Sequence, residues 1–260
     1  NKSVVQSLLP FLTDEGQICT MQNGLPELSV SEVIGKDRTF GCAMSWGATF
    51  IGNGVSQLTS KDARDTLTFS IGKYGNNHED IFRYAVELLN TMGNVEVVEN
   101  FIGARWVKLL VNSAFSGLST VLDANFGEVA KNKKSRLLVQ KIIKECIEVA
   151  NAANIKIEPI QGKDVVKLID YHNKFKQRIS FMLIPLAIKK HRLIKSSMLK
   201  DIAKGRTCEI DAINGVVCNY GDNVNVKTPI NDKIVEIVKS IENGNHKSTW
   251  DNLILFDELK

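Results

Sequence analysis

No strand-like run of any length follows Glu99, whereas the first hundred residues mix helical patterns with short alternating apolar runs. That asymmetry constrains the fold most, and it reads as α/β followed by all-α, with residues 1–100 as one domain and 101–260 as the other. In the first part, Val4 to Leu12 carries apolar residues at helical spacing, with Pro10 limiting how far a straight helix runs. Gln17 to Gln22 reads as a strand that stops at Asn23-Gly24, and Leu25 to Ile34 as a helix stopped by Gly35. Phe40–Ala43, Gly47–Ile51, Val55–Leu58 and Leu67–Ile71 read as strands, with Gly52-Asn53-Gly54 as the turn between two of them. Glu79 to Met92 is an amphipathic helix and Val95 to Val98 the last strand. A helix feeding a strand that stops at a glycine-bearing loop is the rhythm of an α/β domain, where ligands gather at the carboxyl ends of strands.

The second part is helical throughout. Lys134 to Ala153 has a broad apolar face, Val165 to Leu186 is an interrupted helical stretch, and Phe181 to Ile188 reads as a core helix kinked or broken at Pro185. Ser196 opens a short segment that Gly205 ends. Thr207 is positioned to cap a helix through Glu209, Ile213 and Val217, and Gly215 within it predicts a close-packed neighbouring backbone. Thr228-Pro229 opens a further helix that Gly244 closes, and the tail from Trp250 to Leu259 is apolar enough to dock.

One helix stands apart. Between Trp106 and Leu118, Lys108, Asn112 and Ser116 recur every four residues and share one stripe, while Val107, Leu109, Leu110, Val111 and Leu118 cover the other faces. A lysine held partly out of water gives up its proton more readily, so Lys108 is a candidate proton donor. The alternative is an ammonium that snorkels to water along its own methylenes, with Asn112 and Ser116 lining a solvated groove.

Composition excludes several functions. The net charge of +4 on 260 residues is spread thinly, and the basic clusters at Lys131–Lys134 and Lys189–Arg192 read as solvated helix ends, not a nucleic-acid surface. Cys19, Cys42, Cys146, Cys208 and Cys218 form no CxxC pair and are odd in number, and the four histidines stand singly, so neither a disulfide framework nor a metal site is indicated. The scattered, unpaired cysteines fit a reducing cytoplasm; no apolar run is long enough for a membrane span, and no signal peptide opens the chain. The chain starts at Asn1, without methionine and already in helical pattern, which predicts further sequence upstream.

Four blocks, in order, carry a resemblance: Gln22-Asn23-Gly24; Ser45-Trp46-Gly47-Ala48-Thr49; Lys108-Leu109-Leu110-Val111-Asn112; and Ser196-Ser197-Met198-Leu199-Lys200-Asp201-Ile202 followed by Arg206 to Gly215. The last, with an acid twelve residues beyond the second serine, is the most specific. Together they resemble the ketopantoate reductase family from Val4 to about Ile241. The resemblance implies a Rossmann-like domain, here partial, followed by a helical domain like the C-terminal domain of 6-phosphogluconate dehydrogenase. It implies NADPH-dependent reduction of 2-dehydropantoate to (R)-pantoate, on the route to pantothenate and coenzyme A. It makes Lys108 the general acid and assigns Asn112, Ser116 and Ser197 to the substrate. Asn23 and Ala48 fall at the nicotinamide end of the cofactor, and Glu209 beside the nicotinamide ribose, orienting the reacting groups. The implied partners are a small 2-oxoacid and NADPH, with room for a homodimer and no role for nucleic acid or membrane.

The chain departs from the family at two substrate positions: Ser116 replaces an asparagine of many members, and Phe126 precedes Gly127-Glu128 where some members have asparagine. Specificity for pantoate is therefore less secure than reduction of a 2-oxoacid. The amino-terminal strand and the GxGxxG loop are not present, and Gly52-x-Gly54 lies in a hairpin pattern that does not replace them. This chain alone is accordingly expected to bind NADPH weakly. The rival functions are a related 2-oxoacid reductase of the same fold and a non-catalytic helical module.

Overall fold

The computed structural model describes residues 1–58, 67–159 and 164–259. Its contacts divide the chain into two compact units, Asn1–Arg105 and Trp106–Lys260.

In the first unit, α1 (Lys2–Leu8) passes into a tighter 3-10 turn at Leu9–Phe11, so the helix expected through Leu12 stops early. Pro10 has no N–H to extend the ladder, and of the apolar set only Val5 is buried. β1 (Ile18–Thr20) leads through Gln22-Asn23-Gly24 into α2 (Pro26–Ile34), which Gly35 ends at φ 84°, a conformation that costs glycine little. β2 (Thr39–Met44) follows, then β3 (Ala48–Gly52) and β4 (Val55–Leu58), which among the described residues pair only with each other. Their turn, Asn53-Gly54, has φ of 50° and 75°, as a two-residue turn between right-twisted strands requires.

β5 (Thr68–Lys73), α3 (Glu79–Asn90) and β6 (Asn94–Val97) complete the unit. The main sheet runs β1-β2-β5-β6, with β1 parallel to β2, β2 antiparallel to β5 and β5 parallel to β6. α3 is the crossover between the last two strands, and its Phe82 and Leu89 bury against Phe40, Phe69 and Ile71 of the sheet.

α4 (Phe101–Leu122) belongs to both units. Its first turn closes the first: the Phe101 side chain lies so near Gly41 and Gly72 that a Cβ at either would come within 2.4 Å of it. Its remainder runs through the second unit, where Trp106 is fully buried, donates to the Cys146 carbonyl at 3.0 Å and stacks edge-on to Tyr220.

The second unit continues with α5 (Phe126–Lys131), α6 (Lys133–Ala152), α7 (Val165–Ile169), α8 (Lys174–Ala187), α9 (Ser197–Ala203), α10 (Ile210–Asn223) and α11 (Pro229–Glu242). The tail, Trp250–Leu259, docks as a 3-10 helix: Phe256 is buried, Asn252 donates to the Val121 carbonyl at 2.9 Å, and Lys141 donates to the Leu259 carbonyl at 2.8 Å. Among the described residues this unit has no strand, no helix is long and apolar enough to cross a membrane, and no group of three or more His, Cys, Asp or Glu is placed to hold a metal.

Three local expectations are corrected. α8 runs through Pro185 to Ala187 and is a surface helix, with Ser180 and Ile184 buried while Phe175, Met182 and Leu186 are exposed. α10 begins at Ile210 with Glu209, not Thr207, at its cap position, and the Cys208 N–H is taken instead by the Glu242 carboxylate. The three atoms nearest to a Cβ built at Gly215 belong to Asp211 and Ile210, the closest at 3.3 Å. The close approach occurs at Gly117 of α4, where a Cβ would sit 2.7 Å from Ile234 Cγ2 and 2.8 Å from Asn214 Oδ1.

Candidate active site

Lys108 and Asn112 are half-buried on the α4 stripe, and Ser116, one turn on, is 9% exposed. The same helix then uses small hydroxyls to hold the start of α9. Thr120 Oγ1 donates to the Ser116 carbonyl at 2.9 Å and lies 3.0 Å from Ser196 Oγ. The Ser196 N–H donates to Ser119 Oγ at 3.0 Å, and Ser196 Oγ caps α9 by accepting from the Met198 N–H. Ser196 is thus the buried peg, and Ser197 beside it is exposed.

Ser197 Oγ donates to Glu209 Oε1 at 2.9 Å. That bond joins the starts of α9 and α10, twelve residues apart. α10 is itself fixed to α4, because the buried Asn214 donates to the Ser113 carbonyl at 3.1 Å and to Asn231 Oδ1 at 2.9 Å. Asn231 and the first turn of α11 are held in turn by Glu145, which accepts from the Ile230 N–H (2.9 Å), the Asn231 N–H (3.0 Å) and Asn231 Nδ2 (2.7 Å).

Burial pushes the Glu145 carboxyl up to about 6 from an ordinary 4.5, with the three donors only partly offsetting the desolvation. The folded protein therefore holds this proton more tightly than the unfolded chain does. Glu145 favours folding most fully below about 4.5, and that advantage is lost as pH rises through about 6. Urea unfolding of the second unit is expected to show a contribution of roughly 2 kcal/mol lost between pH 4.5 and 7, absent from Glu145→Gln. An identical pH dependence in the variant refutes this.

Burial pushes Cys19 and Cys146 up to about 12 and Cys208 to about 11, and raises Cys218 as well, so none of these four thiols competes as a nucleophile at neutral pH. Phe126 is buried, with its ring 5.5 Å from that of Phe115, and so contributes packing where a polar side chain would contribute a hydrogen bond.

In the first unit, Asn23 is half-buried in the loop after β1 and Ala48 is exposed at the start of β3. The Asn23 loop is held by a buried pair that the sequence did not single out. Arg105 and Glu27 are 1% and 0% exposed. Arg105 donates to Glu27 Oε1 at 2.6 Å, to the Gln22 carbonyl at 2.9 Å and to the Thr20 carbonyl at 3.2 Å. Thr20 Oγ1 also donates to Glu27 Oε1, and Glu27 Oε2 is buried without a hydrogen-bond partner. The available signal was a single charge within the run Phe101 to Val107. The hydroxyl peg and the Asn214–Asn231–Glu145 network left no comparable mark.

Sequence and structure comparisons agree on a family. Residues 100–242 match the profile described as ketopantoate reductase PanE/ApbA C terminal. The 2-dehydropantoate 2-reductase of Pyrococcus horikoshii is 28% identical over 229 residues, 86% of this chain and 67% of the relative. That of Lactococcus lactis is 25% identical over 92% of this chain and 71% of its own length. Among solved structures, a PanE/ApbA family ketopantoate reductase from Ralstonia eutropha superposes with a TM-score of 0.75 at 20% identity, covering 94% of this chain and 72% of that one. D-mandelate dehydrogenase in complex with NADH has a TM-score of 0.75 at 22% identity over 94% and 76% of the two chains. The PanE/ApbA reductases among the structural neighbours have a Rossmann N-terminal domain followed by a helical C-terminal domain. With the matched profile spanning more than half of its length, this chain belongs to the ketopantoate reductase PanE/ApbA family.

Proposed function

We propose that the protein reduces 2-dehydropantoate to (R)-pantoate with NADPH. The observation that carries this reading is the Ser197–Glu209 hydrogen bond of 2.9 Å, formed by two residues whose positions derive from the helix bearing Lys108, Asn112 and Ser116. When bound, NADPH supplies the hydride that the ketone carbon accepts. As the C=O bond becomes a C–O single bond, negative charge collects on oxygen. The Lys108 ammonium stabilises that charge and donates its proton to the oxygen, leaving a neutral amine that solvent reprotonates. Asn112, Ser116 and Ser197 hold the carboxylate and hydroxyl of the substrate. Glu209 accepts from Ser197 through one oxygen, and its carboxylate would hold the nicotinamide ribose when the cofactor is bound.

For the cofactor, the residues present fit one end only. The Gln22-Asn23-Gly24 loop at the carboxyl end of β1, with Arg105 holding the Gln22 carbonyl, suits the nicotinamide end, and Ala48 is assigned to that end by the family resemblance alone. Gly52 and Gly54 belong to the β3–β4 hairpin and form no strand-to-helix cradle for a pyrophosphate.

A second reading is a 2-oxoacid reductase with another substrate. Ser116 in place of asparagine and the buried Phe126 favour it, as does the likeness to D-mandelate dehydrogenase. Turnover of 2-dehydropantoate against other branched or aromatic 2-oxoacids, measured on the full-length protein, separates the two. A kcat/KM for 2-dehydropantoate at least tenfold above the rest supports the first reading, and a preference for another acid replaces it with the second.

A further inference from the structure

The row of polar residues that begins at Lys108 does not end at Ser116. Its next member, four residues on, is Thr120. Steps of four turn by about 40° each around a helix, so the row winds slowly, and at Thr120 it has left the stripe for the interior. Thr120 and the neighbouring Ser119 are both 0% exposed. Thr120 Oγ1 reaches two oxygens, the Ser116 carbonyl of its own helix at 2.9 Å and Ser196 Oγ at 3.0 Å. Ser119 Oγ accepts from the Ser196 N–H at 3.0 Å and donates to the Ala124 carbonyl at 2.6 Å. Ser196 is thereby held at its main-chain nitrogen and at its side-chain oxygen, which fixes its orientation as well as its place.

α9 needs such anchors, because a helix of seven residues has little stability of its own. Its lead-in is strapped to α5 by the Phe126 N–H, which donates to the Ile194 carbonyl, and the Gly127 N–H, which donates to the Arg192 carbonyl, both at 2.9 Å. Lys195 and Ser197, on either side of Ser196, are nevertheless exposed. Ser119 and Thr120 supply the polar fixing points at Ser196 itself, one bond before the residue that donates to Glu209.

We propose that Thr120, together with Ser119, is a positioning residue for the substrate: it keeps Ser197 in register with Ser116, so that hydroxyls borne by two different helices hold one 2-oxoacid. The proposal rests on the reductase reading, in which Ser116 and Ser197 both hold substrate. Thr120 acts only through Ser196. Without its hydroxyl, Ser116 stays on the α4 ladder, Lys108, twelve residues earlier, keeps its place, and Ser197 alone loses its setting.

Steady-state kinetics of the full-length protein test this, with 2-dehydropantoate, or whichever 2-oxoacid it turns over fastest, as the varied substrate. Thr120→Val keeps the shape and removes the hydroxyl. It is expected to raise KM for the acid about tenfold, while kcat and the KM for NADPH change by less than about threefold. Thr120→Ser, which restores the oxygen, is expected to return KM close to wild type. Because Thr120 acts through Ser197, adding Thr120→Val to Ser197→Ala is expected to raise KM no further than Ser197→Ala does alone. An unchanged KM in Thr120→Val overturns the proposal, as do effects that multiply in the double variant or a Thr120→Ser as poor as Thr120→Val. Should Thr120→Val not fold, Ser119→Ala, which removes the acceptor of the Ser196 N–H, takes its place in the same cycle with the same expectation. The reductase reading is decided separately, by Lys108→Ala: if that variant loses its rate while Thr120→Val leaves KM unchanged, the reading stands and the proposal falls.

Discussion

Replacing Lys108 by alanine in the full-length protein is expected to lower kcat for 2-dehydropantoate by about 10²- to 10⁴-fold, the usual scale of a positioned general acid, with a much smaller change in KM. The alkoxide formed by hydride arrival must otherwise take its proton from water. Lys108→Arg is not expected to restore the rate, although it keeps the positive charge. A guanidinium does not release its proton in this pH range, so it can attract the developing charge without neutralising it. The two variants separate proton donation from electrostatic attraction. If alanine leaves turnover unchanged, Lys108 is the snorkelling lysine of the alternative reading, and the proposed mechanism falls.

The second large effect concerns stability. Arg105→Met is expected to destabilise the first unit by about 3–5 kcal/mol, because it strands the Glu27 carboxylate, 0% exposed, without its cation. The double variant Arg105→Met/Glu27→Leu is expected to recover most of that loss, since an apolar pair of similar volume avoids desolvating two charges. Hydrogen exchange of the β2 and β5 amides reads the effect unit by unit, which whole-chain melting does not. Equal protection in wild type and Arg105→Met would show that the pair contributes little. The double variant also releases the Gln22 carbonyl, so the Asn23 loop is expected to exchange faster than wild type even where the sheet has recovered.

What was legible in the sequence was local. Asn53-Gly54 announced its hairpin because few other residues tolerate two successive positive φ angles, and Gly35 announced the end of α2 for the same reason. The α4 stripe was visible because its period is that of the helix. The buried network was not, since Asn214 meets Ser113 across 101 residues and Arg105 meets Glu27 across 78, and no local pattern encodes such a pairing. α8 shows a subtler limit: apolar residues on both of its faces gave the run the look of a core helix, but composition does not say which face the unit covers. Gly215 misled because a glycine inside a helix signals crowding only when a neighbour is there, and the neighbour stands at Gly117. The family blocks reach further than periodicity, because one of them contains both Ser197 and Glu209, whose side chains share a hydrogen bond.

Gly117 touches neither of those residues, but it gauges the gap into which α10 is set. With hydrogen as its whole side chain, it lets Asn214 and Ile234 press against α4. Even alanine there would act as a shim, pushing outward the helix that Glu209 begins while leaving Lys108 where it is. The setting of α10, and with it of Glu209, therefore rests in part on the Cβ that Gly117 lacks.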